Sequence, residues 1–248
     1  MSADATAPTP LIWQADAHGQ LQPYSPLFDD IYRSSGQDGL GGLAQARHSF
    51  LMGCGLLAGD IADSPLWQGQ KNWHILETGF GLGLNFLATW QAWLQDGKRP
   101  QHLIYSAAEA YPVSAADILQ STAVFPALAP MAAQLAAAWQ PQAGINIWRF
   151  ADGALELRLY MGDVLAAMPH FHAPIHSVFL DGFKPKTNAA MWSADCIQAI
   201  ARLLQSGSRL ASWTAAGAVR QRLADAGLGV GKRPGLPPKR HSLWAIYP

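Results

Sequence analysis

The chain of 248 residues is half hydrophobic and only 14% charged, with 17 basic residues against 17 acidic ones. That length and apolar content allow one large α/β domain with a substantial core, while the neutral balance excludes bulk attraction to a polyanion, so a nucleic acid would have to be held by a local basic face. Two cysteines (Cys54, Cys196) without C-x-x-C spacing, a start lacking basic and apolar signal regions, and no apolar run near the ~20 residues of a membrane span point to a cytoplasmic protein with reduced thiols, no metal centre and no membrane partner.

In chain order, residues 1–23 are expected to be a flexible N-terminal segment, and 24–248 a single domain. Within it, 24–70 form a cover: Phe28-Asp-Asp-Ile-Tyr32, a loop from Ser34 to Gly42, and a helix from Leu43 to about Leu57. Strand–helix alternation begins near residue 71. The spacing predicts strands over 73–78, 103–108, 155–161, 176–181, 208–213 and 241–247, and helices over 83–95, 113–121, 127–139, 189–205 and 215–226. A hairpin over 145–161 turns at Asp152-Gly153. Alternation of this kind implies an α/β fold, a mainly parallel sheet with helices on both faces. The stretch Gly231–His241 reads as a stiff, basic, proline-rich loop before the last strand.

The first predicted strand runs into Glu77-Thr-Gly-Phe-Gly-Leu-Gly-Leu-Asn85. Glycines after a strand and before a helix let the backbone approach a nucleotide. A dinucleotide fingerprint needs its third glycine at the sixth position, which here is Leu84; the third glycine comes one residue early, at Gly83. This E-x-G-x-G-x-G spacing resembles the cofactor loop of S-adenosyl-L-methionine methyltransferases. Ligands in such sheets bind beyond the carboxyl ends of the strands, and four successive predicted strands end in an acid: Glu77, Glu109, Asp163 and Asp181. Glu109 could accept from both ribose hydroxyls and Asp163 from an adenine amine. Each acid alone could equally be a helix cap or turn residue, Asp163 above all.

Further motifs carry a more specific resemblance. Phe179-Leu-Asp-Gly-Phe183, Pro185 and Asn188-Ala-Ala-Met-Trp192 resemble the D-G-F-x-P-x-x-N-P-x-M-W signature of the methyltransferases of the tRNA wobble uridine, the family formed by the methyltransferase half of bifunctional MnmC and its stand-alone relatives. Phe28–Tyr32, Arg47 with Phe50-Leu51, Glu77–Phe86, Glu109-Ala-Tyr-Pro112, Thr214–Arg220 and Lys239-Arg240 resemble its other segments in order, from about residue 24 to the end. Ala110, Gly41-Gly42, Cys54, Ala189 and Pro237-Pro238 depart from its pattern.

The resemblance implies a Rossmann-like class I fold with a seven-stranded sheet and an antiparallel last strand. The reaction it implies is S-adenosyl-L-methionine-dependent methylation of the 5-aminomethyl group of a wobble 2-thiouridine. Its partners would be the tRNA anticodon loop and a flavin (FAD)-dependent oxidase, separate or fused, that supplies the aminomethyl substrate; no second dinucleotide fingerprint follows in this chain. The cofactor-binding residues expected are Glu77, Gly79, Phe80, Gly81, Gly83, Asn85, Glu109, Asp163 and Asp181. Substrate would be held by Tyr24, Phe28, Tyr32, Phe183 and Trp192, which could stack a splayed base, and by Arg47, Lys184, Arg220, Lys239 and Arg240 on phosphate.

Methyl transfer from a sulfonium needs a neutral, aligned amine and no metal. Asp181 is the expected catalytic residue, orienting the amine more than taking its proton, because a sulfonium beside a carboxylate lowers its pKa. A small-molecule amine methyltransferase or aminopropyltransferase, a non-catalytic cofactor-binding domain and a nicotinamide oxidoreductase remain as alternatives on the same fold.

Overall fold

A computed structural model describes residues 11–16, 19–34 and 41–248. Most of the predicted 34–42 loop and residues 1–10 lie outside the described residues. Strands β1 (Ile12–Ala15), β2 (Leu21–Ser25) and β3 (Asp30–Ile31) pair into a small antiparallel sheet. Residues expected to be loose thus form strands in part. Trp13 Nε1 donates to Asp117 Oδ1 at 3.0 Å, tying β1 to the body of the protein. The predicted cover helix begins as α1 (Gly41–Gln45) and continues as a π-helix (Ala46–Met52).

The remaining elements are β4 (Asn72–Glu77), α2 (Leu84–Gln95), β5 (His102–Glu109), α3 (Ala115–Thr122), α4 (Ala129–Ala138), β6 (Gly144–Phe150), β7 (Leu155–Met161), α5 (Val164–Ala167), β8 (Ile175–Phe179), α6 (Ala194–Ala201), β9 (Leu204–Ser212), α7 (Gly217–Asp225), β10 (Gly229–Pro234) and β11 (His241–Ile246). The large sheet runs β10-β11-β9-β8-β4-β5-β7-β6. Its five central strands are parallel; β6, β11 and β10 join antiparallel.

The sheet is Rossmann-like and mainly parallel, as the alternation implied, but it has eight strands. The eighth is β10, where a basic loop was expected. Arg233 is the reason: it is buried and ion-paired to Asp60 at 2.5 Å, so a residue that reads as surface charge instead anchors a strand. The predicted hairpin turn lies at Ala151–Gly153, with Ala151 and Asp152 both at positive φ (50° and 54°). Helix α6 is shorter than the spacing predicted, because Ser193 caps it by accepting the Cys196 N–H at 3.2 Å.

Side chains alternate across the sheet. Ile75 and Phe179 point to one core, with Phe86, Trp90 and Trp93 of α2; Leu76 and Val178 point to the other, with Ile197 of α6 and Val219 of α7. Burial on both faces explains the adjacent apolar pairs Ile75-Leu76 in β4 and Val178-Phe179 in β8. Strand β4 is followed in sequence by β5 on one side, while β8 returns on its other side. This reversal leaves a crevice at the carboxyl ends of β4 and β8, the place where open α/β sheets bind ligands.

Candidate active site

The crevice holds a cavity of about 240 Å³ lined by the glycine loop and by the ends of β5, β7 and β8. Gly81 and Gly83 adopt φ of 54° and 75°, the left-handed region that favours glycine. Gly83 caps α2, and a Cβ there would lie 3.0 Å from the Phe80 ring. At Gly79 a Cβ would lie 3.1 Å from the Asp181 carbonyl oxygen and 3.3 Å from Met191, so only glycine keeps the loop this close to the end of β8.

The acids form a connected system. Glu77 is buried; its Oε1 accepts from Asn85 Nδ2 at 2.6 Å and its Oε2 from the Tyr105 hydroxyl at 2.9 Å. The same Asn85 nitrogen donates to Asp181 Oδ2 at 2.7 Å, while Asp181 Oδ1 accepts the Gly182 N–H at 2.8 Å. Burial, and then the charge of Asp181, push the Glu77 carboxyl well above the usual range. Burial pushes Asp181 up to about 6, opposed by its hydrogen bonds and by the Lys239 charge. Lowering was expected from a neighbouring sulfonium; in the protein alone, desolvation is the larger effect. Glu109 accepts from the Gly81 and Tyr111 N–H groups at 2.7 and 2.8 Å, and burial raises it to about 7. Asp163 is the cap of α5, with both bonds on Oδ1 (Leu165 N at 2.8 Å, Ala166 N at 3.3 Å), and it also lines the cavity. Thr78, which the sequence reading missed, joins the strand ends: its Oγ1 donates to the Asp181 carbonyl at 2.6 Å and accepts the Asp181 N–H at 3.0 Å.

A second, outer cavity of about 1110 Å³ meets the first at Asp181. Of the predicted substrate residues, the structure brings together Phe28, Tyr32 and Phe183. Phe28 stacks on Phe183 at 4.5 Å, and Tyr32 meets Phe183 edge-on at 4.9 Å. Tyr111 joins Phe28 at 5.5 Å. Tyr24, Lys184 and Lys239 line the outer cavity. The Tyr24 hydroxyl donates to Asp29 at 2.5 Å, and Lys184 is paired with Asp30 at 3.0 Å. Lys239 lies deeper than a phosphate contact would, its Nζ 3.9 Å from the Trp213 ring centroid and 3.2 Å from Gln45 Oε1. Desolvation lowers its pKa, and Asp181 and Asp30 oppose this.

Other predicted residues fall elsewhere. Trp192 is fully buried in the second core, and its Nε1 donates to the Phe183 carbonyl at 2.8 Å; it is a packing residue that holds Phe183, not a stacking platform. Phe80 lines the cavity, but its ring stacks on Trp139 at 5.6 Å within the first core. Arg47 lies in the π-helix, Arg220 and Arg240 are exposed, and none of the three lines either cavity. Of the other basic residues, Arg222 is engaged with the Trp192 carbonyl at 2.8 Å. His170 stacks on Tyr160, while His176 Nδ1 accepts the His74 N–H, so these histidines serve separate packings.

This donor set fits S-adenosyl-L-methionine. Glu109 offers acceptors to vicinal hydroxyls, Asp163 and Asp181 present oxygens to cationic or N–H groups, and Gly79 leaves room for close backbone approach.

The comparisons with known proteins agree. Residues 126–248 match the family model described as S-adenosyl-L-methionine-dependent methyltransferase. The chain is similar to the tRNA 5-methylaminomethyl-2-thiouridine biosynthesis bifunctional protein MnmC of Acidovorax sp. (strain JS42), 45% identical over 239 residues, 96% of this chain and 35% of that protein. It is likewise 45% identical to that of Polaromonas naphthalenivorans (strain CJ2), over 95% of this chain and 35% of that protein. The chain therefore spans about a third of the length of the curated relatives it matches. In fold it is similar to the crystal structure of MNMC2 from Aquifex aeolicus, with a TM-score of 0.75 at 18% identity, covering 97% of this chain and 72% of that one.

Proposed function

We propose that this chain, which belongs to the S-adenosyl-L-methionine-dependent methyltransferase family represented by the methyltransferase part of MnmC, methylates the 5-aminomethyl nitrogen of a wobble 2-thiouridine in tRNA, giving 5-methylaminomethyl-2-thiouridine. The observation that carries this reading is the meeting of the two cavities at Asp181: on one side a cavity lined by the glycine loop and the strand-end acids, on the other a wider one lined by Tyr24, Tyr32 and Trp213.

When bound, S-adenosyl-L-methionine supplies a methyl group on a sulfonium that an amine can displace in line, the new N–C bond forming as the S–C bond breaks and S-adenosylhomocysteine leaves. The protein's part is placement. Asp181 stands where both cavities reach it, with its oxygens fixed by Asn85 and Gly182, so it can accept an N–H of the incoming amine and aim the nitrogen lone pair. At neutral pH, above about 6, Asp181 is ionised and stabilises the charge that develops on nitrogen; the extra proton then leaves to water. Phe28 and Phe183 on the inner cavity and Tyr32, which lines both cavities, form an aromatic edge on which a base that reaches Asp181 can stack.

The substrate amine would come from a flavin-dependent oxidase, in keeping with relatives described as bifunctional. A cytoplasmic setting follows from a tRNA substrate, and no helix among the described residues is long and apolar enough to cross a membrane. Mass spectrometry of wobble uridines, after incubating the protein with the cofactor and hypomodified tRNA, tests the reading. Methyl transfer to free amines with none to tRNA would overturn it.

A further inference from the structure

Among the described residues lining the outer cavity, Arg33, Lys184 and Lys239 are the cations. The first two are committed elsewhere. Arg33 holds its guanidinium over the Phe125 ring, 5.4 Å from the centroid, and Phe125 lines neither cavity. Lys184 is paired with Asp30 at 3.0 Å, and its Nζ donates to the Asp29 carbonyl at 3.3 Å. Lys239 differs. Its Nζ donates to Gln45 Oε1 at 3.2 Å and lies 3.9 Å from the Trp213 ring centroid, and both of these residues line the outer cavity. Among the described residues it is in no salt bridge. An ammonium carries three N–H groups. With one on Gln45 and the indole face beside it, Lys239 keeps a donor for whatever enters that cavity.

Trp213 places this ammonium beside the reacting end. The Trp213 Nε1 donates to the Gly182 carbonyl at 3.3 Å, and the same N–H favours the ionised form of Asp181. Asp181 thus stands at the nitrogen edge of the indole and Lys239 over its face, and the charge of each favours the ionised form of the other. An acceptor and a donor stand an indole's breadth apart in one cavity. A phosphate is a poor match for this donor, because Asp29, Asp30 and Asp181 line the same space and would repel it.

A neutral acceptor group suits it better. In a 5-aminomethyluracil the amine hangs from C5 and the carbonyl oxygen O4 from the adjacent C4, so both lie on one edge of the ring. An amine held at Asp181 can then present O4 to Lys239. We propose that Lys239 donates a hydrogen bond to O4 of the wobble uracil, so that the site selects a pyrimidine with a carbonyl at C4. The role rests on the tRNA reading and deepens it. Cytosine, with an amino group at C4, sets N–H against N–H and leaves the Lys239 donor unanswered. Gln45, the last residue of α1 before the π-helix, is the positioning residue that holds the ammonium.

Methyl transfer to two anticodon stem–loop RNAs tests this. One carries 5-aminomethyl-2-thiouridine at the wobble position; the other carries 5-aminomethyl-2-thiocytidine, the same amine beside a 4-amino group. The readout is the ratio of their kcat/KM values, since a change at Asp181 or in phosphate binding alters both alike. The wild-type protein is expected to favour the uridine RNA by roughly ten- to a hundred-fold. Lys239→Met is expected to use the two RNAs nearly alike, and Gln45→Leu to lose part of the preference. Equal use of both by the wild-type protein would overturn the proposal with no variant needed, so a misfolded Lys239→Met does not shield it. A folded Lys239→Met that keeps the full ratio would overturn it as well. Transfer to neither RNA would overturn the tRNA reading and this inference with it, whereas equal transfer to both leaves that reading standing and removes only the role of Lys239.

Discussion

The carboxylates of Glu77 and Asp181 are joined through one amide nitrogen: Asn85 Nδ2 lies 2.6 Å from Glu77 Oε1 and 2.7 Å from Asp181 Oδ2. Two acids this close, buried together, cannot both ionise freely. Burial and the Asp181 charge both push the Glu77 carboxyl well above the usual range, so of the two it is the one that holds a proton more readily, and Asp181 is the one that faces the outer cavity. The first acid of the glycine loop thus acts through Asn85, which it holds in place to orient the second.

Asp181→Asn is expected to keep cofactor binding within a few-fold and to lower turnover on tRNA by roughly a hundred-fold or more, the range for loss of a positioned polar catalyst. Single-turnover methyl transfer, beside calorimetric cofactor binding, checks it. Near-full turnover in this variant would remove Asp181 from the mechanism.

Glu109 links stability to pH. Its carboxyl rises from 4.5 unfolded to about 7 folded, so the folded protein binds the extra proton. That contribution is full below pH 4.5 and is lost as pH rises to about 7. Buried His74, lowered to about 3, works in the opposite sense up to its ordinary 6.5, so the informative quantity is the difference between variants. Relative to Glu109→Gln, the wild type is expected to lose roughly 3 kcal/mol of stability between pH 4.5 and 7.5. Denaturant melts across that range measure it, and parallel profiles for the two proteins would refute it.

Much of this site is legible in the sequence because its chemistry sits at strand ends. Glu77 and Glu109 end β4 and β5, Asp163 and Asp181 follow β7 and β8 by two residues, and the glycine spacing marks the turn between β4 and α2. Trp192, Arg233 and Arg33 were not legible for one shared reason. Whether an aromatic or cationic side chain meets solvent, core or ligand depends on contacts distant in sequence: Trp192 with Phe183, Arg233 with Asp60, and Arg33 with Phe125. Composition and periodicity carry no trace of such pairings. The strand β10 was hidden likewise, since its glycines, lysine, arginine and proline read as a loop until β11 pairs with it.

Trp192→Ala is expected to cost about 3–5 kcal/mol of stability through the cavity it leaves. Trp192→Phe keeps most of the volume and loses only the bond to the Phe183 carbonyl, so it should unfold at lower denaturant while keeping most tRNA affinity. Denaturant midpoints and tRNA binding separate the roles: a stable Trp192→Phe with sharply weakened tRNA binding would restore Trp192 as a base platform.

The exposed cations should divide by function. Arg240 and Lys232 are solvent-facing, whereas Arg233 is committed to Asp60 and the His48 carbonyl. If tRNA lies along this edge, binding weakens steeply with salt, and Arg240→Ala lowers the log–log slope by about one. Arg233→Ala instead destabilises the fold, leaving Asp60 unpaired. A flat salt dependence would count against a phosphate face here.

Lys239 provides the sharpest separation of electrostatics from phosphate binding. Its ammonium lies over Trp213, bonds to Gln45, and lowers the Asp181 pKa by its charge, opposing the burial that raises it. Asp181 and Asp30 are the acids that in turn favour the charged form of Lys239. Removing the cation by Lys239→Met therefore raises the Asp181 pKa above about 6, and the carboxylate needed to orient the amine is lost at a higher pH. The acid limb of kcat/KM for tRNA should move up by as much as roughly one pH unit, with the salt slope of tRNA binding unchanged. A variant that shifts the salt slope and leaves the acid limb in place would return Lys239 to the phosphate-binding role that its place in a basic run implied.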